Sequence, residues 1–83
     1  MEEPSTRLAR VRAHTVFDLI WKRRYMVRHK AYAWMRRAMK LSHREAHISL
    51  LSAAQCQQLI RLVYRDFPQF QTRYSRLIFD ESI

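Results

Sequence analysis

The chain has 83 residues, 48% of them hydrophobic, with no Gly, two Pro, one Cys and a formal net charge of +9. A chain of this length makes one domain, read here as residues 1–83 with short flexible ends at 1–5 and 80–83, and its core is too small to house a deep, dry active site as well. The apolar share excludes global disorder, and a lone Cys56 excludes a disulfide framework within the chain, which fits a reducing compartment.

The absence of Gly and Asn removes the residues that tight hairpin turns use at positive φ. The expectation is an all-α fold, three core helices plus a fourth at the C-terminus, joined by loops that avoid left-handed conformations. The first helix is expected to start at Ser5 or Thr6, both good N-cap residues. Leu8, Val11, Val16, Leu19 and Ile20 supply its apolar stripe, with Phe17 and Trp21 widening it, while Arg7, Arg10 and Lys22 face solvent. It ends near residues 22–24, and a short basic connection follows with Tyr25 and Met26 tucked under it.

The second helix is expected over Val27 to Lys40, with Ala31, Trp34, Met35, Ala38 and Met39 buried. Ser42-x-x-Glu45 has capping-box spacing but opens only a brief turn. Residues 46–51 read as an irregular connector that plugs the core. Ser52-x-x-Gln55 is a second capping box and starts a third helix, buried through Ala54, Cys56, Leu59, Ile60 and Val63. That helix ends at Asp66 or Phe67, because the residue before Pro68 is biased away from helix. A fourth helix is expected from about Pro68 to Phe79, on Phe70, Tyr74, Leu77 and Ile78.

The charge is unevenly placed. Residues 1–44 hold twelve Lys/Arg against Glu2, Glu3 and Asp18, whereas residues 45–83 are balanced. Such asymmetry points to a surface that meets polyanions. Arg23, Arg24, Arg28, Lys30, Arg36, Arg37 and Lys40 are the candidate phosphate-contacting residues, expected to form one continuous face. Trp21 and Trp34 are read as core. Tyr25 and Tyr32 are the aromatics left to stack on unpaired bases.

Other constellations are weaker. His14, His29, His43, His47 and Cys56 are the available zinc ligands, and a structural zinc site needs four of them closed around the ion. His43 and His47 are four residues apart, a spacing common by chance, so no metal and no cofactor is expected. Cys56 reads as a small buried hydrophobe rather than a nucleophile. His14 and Asp18 can hydrogen-bond one helical turn apart, and a structural pair that orients Trp21 or the connector is the expectation. No catalytic constellation remains, and no enzyme is expected.

Three stretches carry a family resemblance: Ala13-His14-Thr15-Val16-Phe17-Asp18-Leu19-Ile20-Trp21, then Arg28-His29-Lys30-Ala31-Tyr32-Ala33-Trp34-Met35, then His47-Ile48 followed after a gap by Gln55-Cys56. Over roughly residues 7–64 the chain resembles phage and prophage proteins of unknown function in which a short cysteine zinc finger precedes a helical tail. The resemblance implies a helical fold and a phage or prophage origin. It also implies that the zinc-binding cysteines belong upstream of this region; this chain has no CxxC pair, so the expectation is a tail without its finger. Val27 stands where the family tends to place a capping Ser, and Pro68 onward looks specific to this chain.

The functional expectation is therefore a basic accessory protein that binds nucleic acid, DNA or RNA, largely through phosphate. The alternative is a protein-interaction module that inhibits or redirects a host nucleic-acid-handling protein, with Phe67, Phe70, Tyr74 and Phe79 as an apolar anchor. Neither a signal peptide nor a membrane span is evident at the sequence level, so the host cytoplasm is the expected location.

Overall fold

The computed structural model describes residues 4–70. Among these residues there are three helices, α1 (Pro4–Lys22), α2 (Arg28–Met39) and α3 (Ala53–Asp66), with a 3-10 turn at Ile48–Leu50 between the last two. No strand occurs among the described residues, and the fold is all-α. None of these helices is long and apolar enough to cross a membrane. Gln69 and Phe70 are helical; the rest of the expected fourth helix, with Tyr74, Phe79 and the expected flexible end at 80–83, lies outside the described residues.

α1 opens at Pro4, one residue before the expected cap, so Pro4 and Ser5 belong to the helix rather than to a flexible end. Proline suits a first helical turn, where its missing N–H would have no partner anyway. Ala13, Val16, Phe17 and Ile20 are fully buried. Their three- and four-residue steps make one stripe. Leu8 and Val11 are 48% and 57% exposed, which corrects their place in that stripe. At roughly 100° per residue they align with Thr15 and Leu19, on the side away from Val16 and Ile20. Arg10 is a second correction: it is half-buried, and its Nε donates to the Leu51 carbonyl at 2.8 Å.

The chain escapes from both α1 and α2 by the same device. Arg24 and Lys40 adopt left-handed φ values of 64° and 55°. After α1, Tyr25 N–H bonds the Ile20 carbonyl at 2.9 Å and Arg24 N–H the Trp21 carbonyl at 3.1 Å. After α2, Leu41 N–H bonds the Arg36 carbonyl at 2.9 Å and Lys40 N–H the Arg37 carbonyl at 3.4 Å. These are Schellman closures, in which the left-handed residue is usually Gly. The expectation that the loops avoid left-handed backbone is thus wrong. The helix ends need it, and a chain without Gly forces it on an Arg and a Lys.

α2 falls one residue inside each expected end, with Val27 as an extended N-cap that offers no side-chain hydrogen bond. Ala31, Trp34, Met35 and Met39 are its buried side. The Ser42–Glu45 box closes a turn: Glu45 Oε1 accepts from Ser42 N–H at 2.8 Å and Ser42 Oγ from Glu45 N–H at 3.2 Å. Ala46, Ile48 and Leu51 then bury themselves as the plug.

The reciprocal Ser52–Gln55 box opens α3, as expected. α3 packs chiefly on α1 through Cys56, Leu59, Ile60 and Val63. Ala54 is exposed instead of buried, because it lies off the line that Cys56, Leu59 and Val63 define. Pro68 stops the helix after Asp66, and the chain turns so that Phe70 is buried to 1%. Phe67 and Phe70 stack at 5.5 Å, Tyr25 meets both edge-on, and Trp34 meets Phe67 at 5.9 Å. This aromatic cluster ties the α1–α2 connection to the end of α3.

Candidate nucleic-acid interface

The seven candidate cations stand on the α1–α2 connection and on α2. Arg23, Arg24, Arg28, Lys30, Arg37 and Lys40 are exposed, and Arg36 is half-buried. They do not form a single line. Helical spacing puts Arg28, Tyr32 and Arg36 on one row of α2, and Lys30 and Arg37 on another about 100° or more around the axis. Arg24 and Lys40 mark the C-terminal ends of α1 and α2, where a cation also meets the negative end of the helix dipole.

Arg28 has the most defined position of the set. Its guanidinium carbon lies 5.2 Å from the Trp21 ring centroid and 5.9 Å from that of Tyr32. Lys22 Nζ approaches the same indole at 5.7 Å. Trp21 is in turn oriented by Asp18, whose Oδ1 accepts from the indole N–H at 3.1 Å while Oδ2 faces His14 Nδ1 at 3.2 Å. Asp18 is only 7% exposed. The His14–Asp18 pair therefore sets the ring on which Arg28 rests, the orienting role expected of it.

The two tyrosines differ from each other. Tyr25 is 50% exposed, yet its ring is engaged by Phe67 and Phe70, so it serves the aromatic cluster. Tyr32 is half-buried, with its ring edge-on to Phe17 at 4.8 Å, and it also lines a cleft. That cleft, about 600 Å³, lies between α2 and the loop at 43–47 and is bordered by Arg28, His29, Tyr32, Arg36, His43 and His47, with Ala33 and Ala46 completing it. Among the described residues, no carboxylate borders it. The nearest one in the loop, Glu45, is turned to the Ser42 backbone and hydroxyl, which hold its carboxyl below the usual carboxylate range. Sequence reasoning named Arg28, Tyr32 and Arg36 but not the cleft. Their four-residue spacing was the available signal; that the 43–47 loop folds back over them was not legible.

The chain belongs to the family described as a zinc-finger-containing domain, whose model matches residues 1–66. No curated protein and no solved structure matches it. The residues at hand do not fit a four-ligand zinc centre. All four His and the single Cys lie among the described residues, and among those residues no group of three or more His, Cys, Asp or Glu side chains is placed to hold a metal. Cys56 is fully buried, and burial pushes its thiol up, against a smaller opposing pull from the Arg10 charge. A zinc ligand must be the thiolate, which this setting disfavours; Cys56 is core, as expected.

Proposed function

We propose that the protein binds nucleic acid through phosphate contacts from the α1–α2 connection and α2, as an accessory protein of the phage or prophage type that the family resemblance implies. The observation that carries this reading is the charge of residues 19–44: nine Lys/Arg and no Asp or Glu. Cations contact phosphate whatever the base sequence, and each contact releases condensed counterions. The two helix ends add support. Arg24 and Lys40 occupy the left-handed positions that close α1 and α2, which sets a cation at the end of each helix.

The alternative, a host-protein partner, drew on Phe67, Phe70, Tyr74 and Phe79 as an apolar anchor. Phe67 and Phe70 are engaged with Tyr25 and Trp34, and Tyr74 and Phe79 lie outside the described residues. The phosphate reading is therefore preferred. A gel-shift titration of the full chain at two salt concentrations tests it. Affinity is expected to fall steeply with salt and to vary little with sequence. Salt-independent binding, or none at low salt, refutes it.

A further inference from the structure

We propose that the cleft between α2 and the 43–47 loop seats one unpaired nucleotide of a bound strand, its phosphate between Arg28 and Arg36 and its base against Tyr32. This rests on the phosphate-binding reading above and gives it a preferred form of nucleic acid. The volume, about 600 Å³, lies within the range of clefts that take whole small molecules. The lining combines two guanidinium groups, three imidazoles and one phenol ring, with no carboxylate among the described residues, so its charge complements an anion. Two other clefts differ from it. The one between α1 and α3, about 280 Å³, has Arg12 and Arg61 but no aromatic ring on its border. The groove beside Val11 has the His14 imidazole but no Phe, Tyr or Trp on its border.

The residues are also held ready. Arg28 lies over both Trp21 and Tyr32, which holds its guanidinium at the border of the cleft. Tyr32 is fixed from behind by Phe17. Groups already immobilised lose less entropy when a ligand arrives. A base within a duplex stays stacked on its neighbours and cannot enter such a cleft. An unpaired base can leave the strand and lie on an aromatic ring. The rest of the basic surface does not distinguish the two forms, because both carry phosphates.

The test uses the full chain and two fluorescent probes, a single-stranded oligonucleotide and the duplex made from it, read by anisotropy at low salt. Arg36→Gln, His43→Gln and Tyr32→Leu are compared with the parent protein, with circular dichroism to verify folding. The parent is expected to favour the single strand. Tyr32→Leu is expected to weaken single-strand binding about tenfold, the usual scale of one lost base–aromatic stack, with a much smaller change on duplex. His43→Gln and Arg36→Gln, which leave the Phe17 contact intact, are expected to shift the preference in the same direction. Equal losses on both probes, or no loss on either, overturn the cleft proposal and leave the phosphate reading standing. A parent protein that binds neither probe at low salt overturns both.

Discussion

Trp34 and Asp66, 32 residues apart, are joined by a hydrogen bond of 2.8 Å from the indole Nε1 to Oδ2. The bond fastens the last residue of α3 to the buried side of α2, where Trp34 is 8% exposed. Arg65 reaches the same carboxylate through Nε at 2.7 Å and through its second guanidinium nitrogen at 3.1 Å. Asp66 thus gathers donors from two sources at the point where Pro68 ends the helix.

Those donors give Asp66 a pH signature. Its carboxyl lies below its ordinary value of 3.8, first through the Arg65 hydrogen bond and then through Trp34. A lowered carboxyl contributes stability that is fully present above the unfolded-state value and is lost as pH falls through the lowered, folded-state value. Asp66→Asn is expected to cost no more than about 1 kcal/mol near neutrality, since the group is partly exposed and screened. Thermal melts across acidic pH provide the check: the two proteins should differ at neutral pH and converge on acidification below the ordinary carboxylate range. A difference that grows with acid would contradict the assignment.

Cys56 provides a second test. It is fully buried between α3 and α1, and burial keeps its thiol protonated. Alkylation of the native protein is expected to be slow and to accelerate on adding denaturant. Cys56→Ala leaves a small gap, whereas Cys56→Ser brings a hydroxyl into an apolar site at a cost of about 1–3 kcal/mol. Urea titrations should therefore rank serine below alanine. Rapid labelling of the folded chain would place the thiol elsewhere.

The helix ends make a prediction that separates backbone from charge. Lys40→Gly and Lys40→Ala remove the same cation, so any dipole effect cancels between them. Only glycine relieves the left-handed residue, whose φ is 55°. The glycine variant is expected to be more stable than the alanine variant by about 1 kcal/mol, measured by denaturant unfolding. Equal stabilities would mean that the closure after Met39 is not left-handed in solution.

Much of this architecture was readable from periodicity and capping. Both Ser-x-x-Glu/Gln boxes form reciprocal bonds, and the second one starts α3 at the expected residue. Leu8 and Val11 were misread because two apolar rows of α1 interleave in sequence, and only packing on α3 decides which row is buried. Arg10 shows the opposite limit. A charged side chain reads as solvent-facing until a distant group, the Leu51 carbonyl, comes within reach, whereas Tyr25 stays exposed while its ring is engaged by Phe67 and Phe70. The candidate interface was legible as charge, which is local in sequence. The cleft was not, since it needs α2 and the 43–47 loop together.

The basic surface itself is tested by neutralising Arg36, Arg37 and Lys40 together, as Arg36→Gln, Arg37→Gln and Lys40→Gln. Arg37 and Lys40 are exposed and Arg36 half-buried, and none of them is among the buried residues of α2. Exposed positions of this kind usually change stability by about 0.5 kcal/mol or less, so the triple variant is expected to fold. Its affinity for nucleic acid should drop, and the salt dependence should flatten by about 0.7–0.9 in log–log slope for each phosphate contact removed. The slope carries more information than the affinity, because a loosened fold lowers affinity without changing the number of counterions released by the contacts that remain. A folded triple variant with unchanged affinity and slope would remove Arg36, Arg37 and Lys40 from the mechanism. Arg23, Arg24, Arg28 and Lys30 would then be the candidate cations left, and a nuclease-treated pulldown for a protein partner would become the informative experiment.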